Sequence, residues 1–143
     1  MARPVTLFTG QWADLPLTEL AKKASGWGYD GLELACWGDH FDPAQGATDP
    51  AYCEQQKNIL KENNLSVYAI SHHLAGQLVC DLNNDARSDG FAPGDCAGDP
   101  EKKRAWAVET MKQTAIAAKN MGLKVVNGFT LSLIHISEPT RLC

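Results

Sequence analysis

The sequence predicts an α/β fold built on a parallel sheet, and three observations carry that expectation. Strand-like and helix-like stretches alternate along the chain. Three junctions follow one plan: Trp27-Gly28-Tyr29-Asp30-Gly31-Leu32, Glu62-Asn63-Asn64-Leu65-Ser66-Val67 and Met121-Gly122-Leu123-Lys124-Val125-Val126 each leave a helix through a small or polar turn and enter an apolar strand. Short helix-to-strand turns of this kind indicate right-handed βαβ units. Finally, Leu32 to Cys36 is short and largely apolar, as suits a strand covered on both faces.

Taken in order, Pro4 to Thr9 is a β-rich run ended by Gly10, a good first strand. Leu17, Leu20, Ala21, Ala24 and Trp27 recur at helical spacing, so 16–26 reads as an amphipathic helix starting at Pro16. Gly26 and Gly28 can take the left-handed conformation that stops it. The second strand, Leu32 to Cys36, contains Glu33, a carboxylate that costs several kcal/mol in an apolar setting unless it has a partner or a polar surface to face. Thr48-Asp49-Pro50 signals a helix start, with Tyr52, Gln56, Ile59, Leu60 and Asn63 on one face. Leu65 to Ser71 is the third strand and runs into His72 and His73. From there to Asp99 the chain is rich in Gly, Asp and Asn without periodicity, a long connection of the functional or mobile kind. Asp99-Pro100 opens the longest helix, with Ala107, Met111, Thr114, Ala115, Ala118 and Met121 as its buried stripe and Gly122 as its stop. Lys124 to Phe129 is the fourth strand.

The pattern then stops. Residues 131–143 are too few for a loop, a helix and a strand, and Pro139 interrupts any helix there. This ending resembles a peptide translated from sequencing-adapter nucleotides, so the expected division is a native part, residues 1–130, and a non-native tail, 131–143.

A chain of 143 residues has the length of one ordinary domain. A net charge of -4 gives no electrostatic footprint for nucleic acid or an anionic membrane. No apolar run approaches the ~20 residues that span a bilayer. The start, Met1-Ala2-Arg3-Pro4, leaves no room for a secretory signal before the first strand, so the cytoplasm is the expected compartment. The five cysteines, Cys36, Cys53, Cys80, Cys96 and Cys143, lack CxxC spacing and are odd in number, which points to reduced thiols rather than a disulfide or zinc framework. No Gly-x-Gly-x-x-Gly or Gly-Lys-Ser/Thr phosphate loop supports nucleotide binding.

The helix Leu17-Thr18-Glu19-Leu20-Ala21-Lys22-Lys23-Ala24 followed by Gly28-Tyr29-Asp30-Gly31-Leu32-Glu33-Leu34, with Trp37-Gly38-Asp39-His40 and Ser71-His72-His73 after strands two and three, resembles the sugar phosphate isomerase/epimerase family. That family belongs to the xylose isomerase-like TIM barrel superfamily, and the resemblance covers residues 4–130. It implies a TIM (β/α)8 barrel truncated to about four βα units, because whole barrels typically need ~250 residues. It also implies a divalent metal (Mn, Mg, Co or Zn) in the full-length protein, held by carboxylates and a histidine whose ligands are not in this stretch. The chemistry would be isomerisation or epimerisation of a small-molecule sugar or sugar phosphate. A metal polarises the carbonyl, a carboxylate moves the proton, and an enediolate lies between. This stretch alone would be inactive, and the full-length protein would be a homo-oligomer. The competing readings are an inosose dehydratase-like barrel, an endonuclease IV-like barrel, which the acidic balance disfavours, and a complete non-catalytic α/β binding domain.

Candidate substrate-binding residues follow strand ends. Glu33 either bonds a substrate near the pocket or is a structural carboxylate satisfied inside the fold. Alternation lets at most one of His72 and His73 point inward, and His73 is the choice for a sugar hydroxyl. Trp37 either stacks on a sugar ring or caps the sheet. His40 with Asp39 reads as a solvated loop pair or a site pair. Gln11 and Trp12 stand after strand one, near the mouth. Trp106 reads as helix packing, Lys102-Lys103-Arg104 as a solvated face, and Asp81, Asp85, Asp89, Asp95 and Asp99 as loop polarity without calcium-loop spacing.

Overall fold

The computed structural model describes residues 3–81 and 84–129; Thr130 and the expected tail, 131–143, lie outside them. Strands β1 (Thr6–Phe8), β2 (Gly31–Ala35), β3 (Ser66–Ser71) and β4 (Val126–Asn127) form one sheet in sequential order. Every pairing is parallel, as consecutive βα units require. The helices are α1 (Leu17–Gly26), α2 (Pro43–Thr48), α3 (Pro50–Lys61), α4 (His73–Cys80) and α5 (Pro100–Asn120), with short 3-10 turns at Thr9–Trp12, Ala86–Phe91 and Gly94–Cys96. The described residues fall into two compact units. One is the stretch up to Ser71 with Gln113–Asn127; the other is His72–Lys112 with the described residues from Gly128 on.

In the first unit the three similar junctions prove to be one device. Gly28 (φ +85°), Asn64 (φ +57°) and Gly122 (φ +76°) are all left-handed. The next residue then donates back into the helix: Tyr29 N–H to Ala24 O at 3.2 Å, Leu65 N–H to Leu60 O at 2.9 Å, and Leu123 N–H to Ala118 O at 2.8 Å. This closure satisfies an orphan carbonyl and turns the chain toward the sheet. Gly26 does not share the role; it is the last residue of α1, with no positive φ.

The sheet is two-sided. Leu7, Leu32, Leu34 and Ile70 pack with Leu17, Leu20 and Ala24 of α1, Leu60 of α3 and Ala117 of α5 in one core. Each fully buried leucine contributes roughly 1.5–3 kcal/mol. The registers Phe8↔Glu33 and Ala35↔Ser71 put those residues on the opposite face. Between β2 and β3 the register slips by one, Leu32↔Val67 being followed by Glu33↔Ala69. Tyr68 is the extra residue, and the slip lets both Val67 and Ile70 join the core. Gly31 lies against Ser66 O and the Tyr68 ring, where a Cβ would collide with both.

Where β1 gives way to its 3-10 turn, buried Thr9 continues the ladder by accepting from Ala35 N–H through Oγ1 at 2.9 Å. Strand two has the expected length but lies one residue earlier, ending at Ala35, whereas strand four is shorter than the sequence suggests, Val126–Asn127 against 124–129. Asp49 caps α3 through Ala51 N–H at 2.8 Å, as its Asp-Pro signal predicts. The buried face of α3 includes Cys53 beside Gln56 and Leu60. Helix α2 was not foreseen. It is six residues long, too short for periodicity, but it carries the same signal, with Asp42 capping and Pro43 first.

The second unit departs further from expectation. The stretch after His73 is not a structureless connection but begins with α4, whose Gly76 lies against the Phe129 backbone, the carbonyl oxygen 2.5 Å from where a Cβ would sit. Lys103 is not on a solvated face. It is fully buried, donating through Nζ to Asn84 O and Asp85 O, each at 2.8 Å, and to Ser88 Oγ at 3.3 Å, and it is ion-paired with Asp89. Arg104 donates to Asp81 O at 3.1 Å. The aspartates are likewise more than loop polarity: Asp85 caps the 3-10 turn at Arg87 N–H and Asp99 caps α5 at Glu101 and Lys102 N–H. Trp106 packs with Leu78 and Ala107, as expected of helix packing. Along α5, Thr110 and Ala117 are buried and Ala115 is exposed, so the stripe drifts from the predicted one.

Candidate functional site

The sheet face turned away from the helices carries polar groups at the carboxyl ends of its strands, where parallel α/β folds place ligands. Glu33 of β2 accepts a hydrogen bond from Asn127 Nδ2 of β4 at 2.6 Å. This supplies the partner a carboxylate needs in an apolar strand. Both residues keep partial exposure. Between them in the sheet is Ser71, paired in register with Ala35 on one side and Asn127 on the other. Its Oγ is buried and has no hydrogen-bond partner among the described residues.

An aromatic wall stands beside this polar row. Phe8, in register with Glu33, meets Trp37 edge-on, their ring centroids 5.8 Å apart at 73°. Gly10 lies so close that a Cβ would strike both rings. Gln11, on the same 3-10 turn, is exposed. Trp12 is not at a mouth; it packs against the core and tilts on Trp27 at 5.9 Å. Cys36 follows directly, but burial pushes its thiol up to about 12, which leaves it a packing group rather than a nucleophile.

His40 and Asp39 do not form a solvated pair. His40 is fully buried and donates through Nε2 to Leu15 O at 3.1 Å, and Asp39 Oδ2 accepts Leu17 N–H at 3.2 Å. Together they fasten the loop after β2 to the start of α1. Burial holds the His40 pKa below its ordinary value, so it stays neutral.

The two remaining candidates belong to the second unit. The strand ends at Ser71, so strand alternation does not decide between them. His72 is the N-cap of α4: its Nδ1 accepts Ala75 N–H at 3.3 Å, and its ring meets Trp106 edge-on at 6.1 Å. Burial first, then the neighbouring His73, lowers its pKa to about 4. His73 is the first residue of α4 and stacks on Phe129 at 4.4 Å.

Sequence reasoning thus reached Glu33 and Trp37 of this face but missed Asn127, Ser71 and Phe8. The signal for Asn127 was present: a polar residue directly after Val125-Val126 poses the same burial problem as Glu33. Among the described residues no group of three or more His, Cys, Asp or Glu side chains is close enough to hold a metal ion. The donor set implied by the sequence resemblance is therefore not assembled here. Cys36, Cys53, Cys80 and Cys96 are free thiols. No helix among the described residues is long and apolar enough to cross a membrane.

A family model described as xylose isomerase-like TIM barrel matches residues 21–141. Among solved structures, the chain is similar to the crystal structure of D-psicose 3-epimerase in the presence of D-fructose, with a TM-score of 0.50 and 13% identity. The match covers 96% of this chain and 42% of that one, so the chain spans less than half of the epimerase's length. At that identity the likeness is one of fold. No curated protein matches the chain.

Proposed function

Because the chain belongs to the xylose isomerase-like TIM barrel family and its four parallel strands correspond to about half of such a barrel, we propose that it is part of a sugar isomerase or epimerase that works by proton transfer through an enediolate. The observation that carries this reading is the Glu33–Asn127 pair on the sheet face away from the helices. A partly exposed carboxylate held by an amide, with Phe8 in register beside it and Trp37 against Phe8, suits a polyol. The carboxylate accepts hydroxyl protons, and the aromatic faces cover C–H surface.

In this reading the described residues bind and orient. Glu33 Oε2 is held by Asn127, and its carboxylate takes a sugar hydroxyl. Phe8 with Trp37 keeps water from one side of the sugar. A divalent metal is part of the family expectation; no three His, Cys, Asp or Glu side chains come together among the described residues, and the roles proposed for these residues are walls and hydrogen bonds. The activity belongs to a whole barrel, and the same holds for its small-molecule partner, its oligomeric state and its placement in the cytoplasm.

The test is deuterium exchange in D2O, followed by proton NMR, using the complete barrel that contains residues 4–129 and a panel of ketoses and aldoses. Exchange at the carbon next to the carbonyl, with interconversion of the sugars, is the expected result. Glu33→Gln should raise KM more than it lowers kcat, as removal of a binding group does. A complete barrel that exchanges no sugar proton with any member of the panel would overturn the proposal.

A further inference from the structure

Among the chain's asparagines only Asn127 is followed by glycine. An asparagine in that setting can modify itself: the main-chain nitrogen of the next residue attacks the side-chain carbonyl carbon and closes a cyclic imide. Glycine leaves its nitrogen uncovered, because it has no Cβ to crowd the approach. Asn127 is the last residue of β4, and Gly128 lies past the end of the sheet pairing. Asn127 is half-buried and Gly128 is exposed, so water reaches the dipeptide.

Other asparagines lack one of these conditions. Asn64 is exposed on its left-handed turn, but Leu65 follows it. Asn120 precedes Met121 and donates to Gly46 O and Ala47 O at 2.9 and 3.1 Å. Asn127 is itself tethered, its Nδ2 donating to Glu33 Oε2 at 2.6 Å. The tether slows the reaction, since the amide must leave Glu33 before its carbon can turn to the Gly128 nitrogen.

We propose that Asn127–Gly128 is a site of spontaneous deamidation, restrained by Glu33, whose product undoes the Glu33–Asn127 pair. The Gly128 nitrogen bonds to Asn127 Cγ, the Cγ–Nδ2 bond breaks, and the departing amino group takes the Gly128 proton and leaves as ammonia. Water then opens the imide at either carbonyl, giving aspartate or isoaspartate. Neither product has the donor that Glu33 holds. An aspartate there sets a second carboxylate against Glu33, and the two disfavour joint ionisation. An isoaspartate adds a methylene to the backbone at the residue paired with Ser71. The modification stands without the sugar-binding reading.

The experiment incubates the 143-residue chain in mildly alkaline buffer at physiological temperature and follows its proteolytic peptides by mass spectrometry over weeks. Conversion at position 127 is expected to rise with time and with pH, while Asn64 and Asn120 stay amides. In Gly128→Ala the new Cβ would lie 3.7 Å from its nearest neighbours, His72 O and Met111 Cε, so the fold tolerates it, and conversion should slow several-fold. Glu33→Gln leaves a neutral, weaker acceptor and should speed conversion about twofold or more. Circular dichroism and the thermal midpoint of each variant separate lost restraint from lost fold. An Asn127 that stays intact under conditions that convert it in the urea-denatured chain would overturn the proposal. So would conversion as fast in Gly128→Ala as in wild type, or no faster in Glu33→Gln.

Discussion

Glu33 owes its tolerance inside an apolar strand to Asn127, and removing the amide should make this visible. Asn127→Ala is expected to lower stability by about 1.5–3 kcal/mol, the usual worth of a hydrogen bond to a charged group, read as a shift of the urea midpoint. His72 offers a test of the opposite kind. The unfolded chain takes up a proton near pH 6.5, whereas the buried ring resists it down to about 4. Between those values the unfolded state binds more protons, so stability should fall as the pH drops from about 6.5 to about 4, by roughly 1.4 kcal/mol per pH unit from this residue, and level off below. His72→Asn keeps a capping acceptor without the titration, and its urea midpoint should depend less on pH across that window; an unchanged slope would sink the assignment. Residues of this kind differ in how openly the sequence displays them. Glu33 is legible because a carboxylate among leucines demands an explanation. His40 is not, because its burial depends on Leu15 O, a carbonyl 25 positions away whose approach no local pattern announces.

At the scale of elements, Lys103 holds Asn84, Asp85, Ser88 and Asp89 around one ammonium. Lys103→Met would remove the ion-pair partner of Asp89 and leave the Asn84 and Asp85 carbonyls without their donor, and is expected to loosen this stretch. The readout is faster proteolysis within residues 84–99; cleavage at the wild-type rate would argue against the lysine's organising role. Three charges in a row look solvated in sequence because charge usually is, and only the packing of the preceding loop reverses that. Helix α4 was hidden for a similar reason. Gly76 weakens its helical signal, yet the close approach of Phe129 requires a residue without Cβ there. Gly31 is held to the same standard by Ser66 O and Tyr68. Gly31→Ala should cost roughly 1–3 kcal/mol through overpacking, again checked by denaturant unfolding.

The molecule as a whole follows from repetition. The three junctions that leave a helix through a small or polar turn and enter an apolar strand made the parallel sheet legible in the sequence. The strand lengths were less readable, since boundaries depend on where pairing stops rather than on composition. Among the described residues β1 and β4 border the sheet with no strand on their outer sides, and such edges recruit partners. The 143-residue chain should therefore sediment as a dimer or larger species at micromolar concentration; a clean monomer across that range would count against open edges. The register slip at Tyr68 has a last implication, for insertions and deletions. Since Val67 and Ile70 already face the same way across an extra position, losing the codon for Tyr68 would leave β3 with ordinary alternation and every later side chain on its present side. A codon lost from the middle of β2 would turn the remainder of that strand inside out. Among homologous genes, length variation in these strands should therefore gather at this one place.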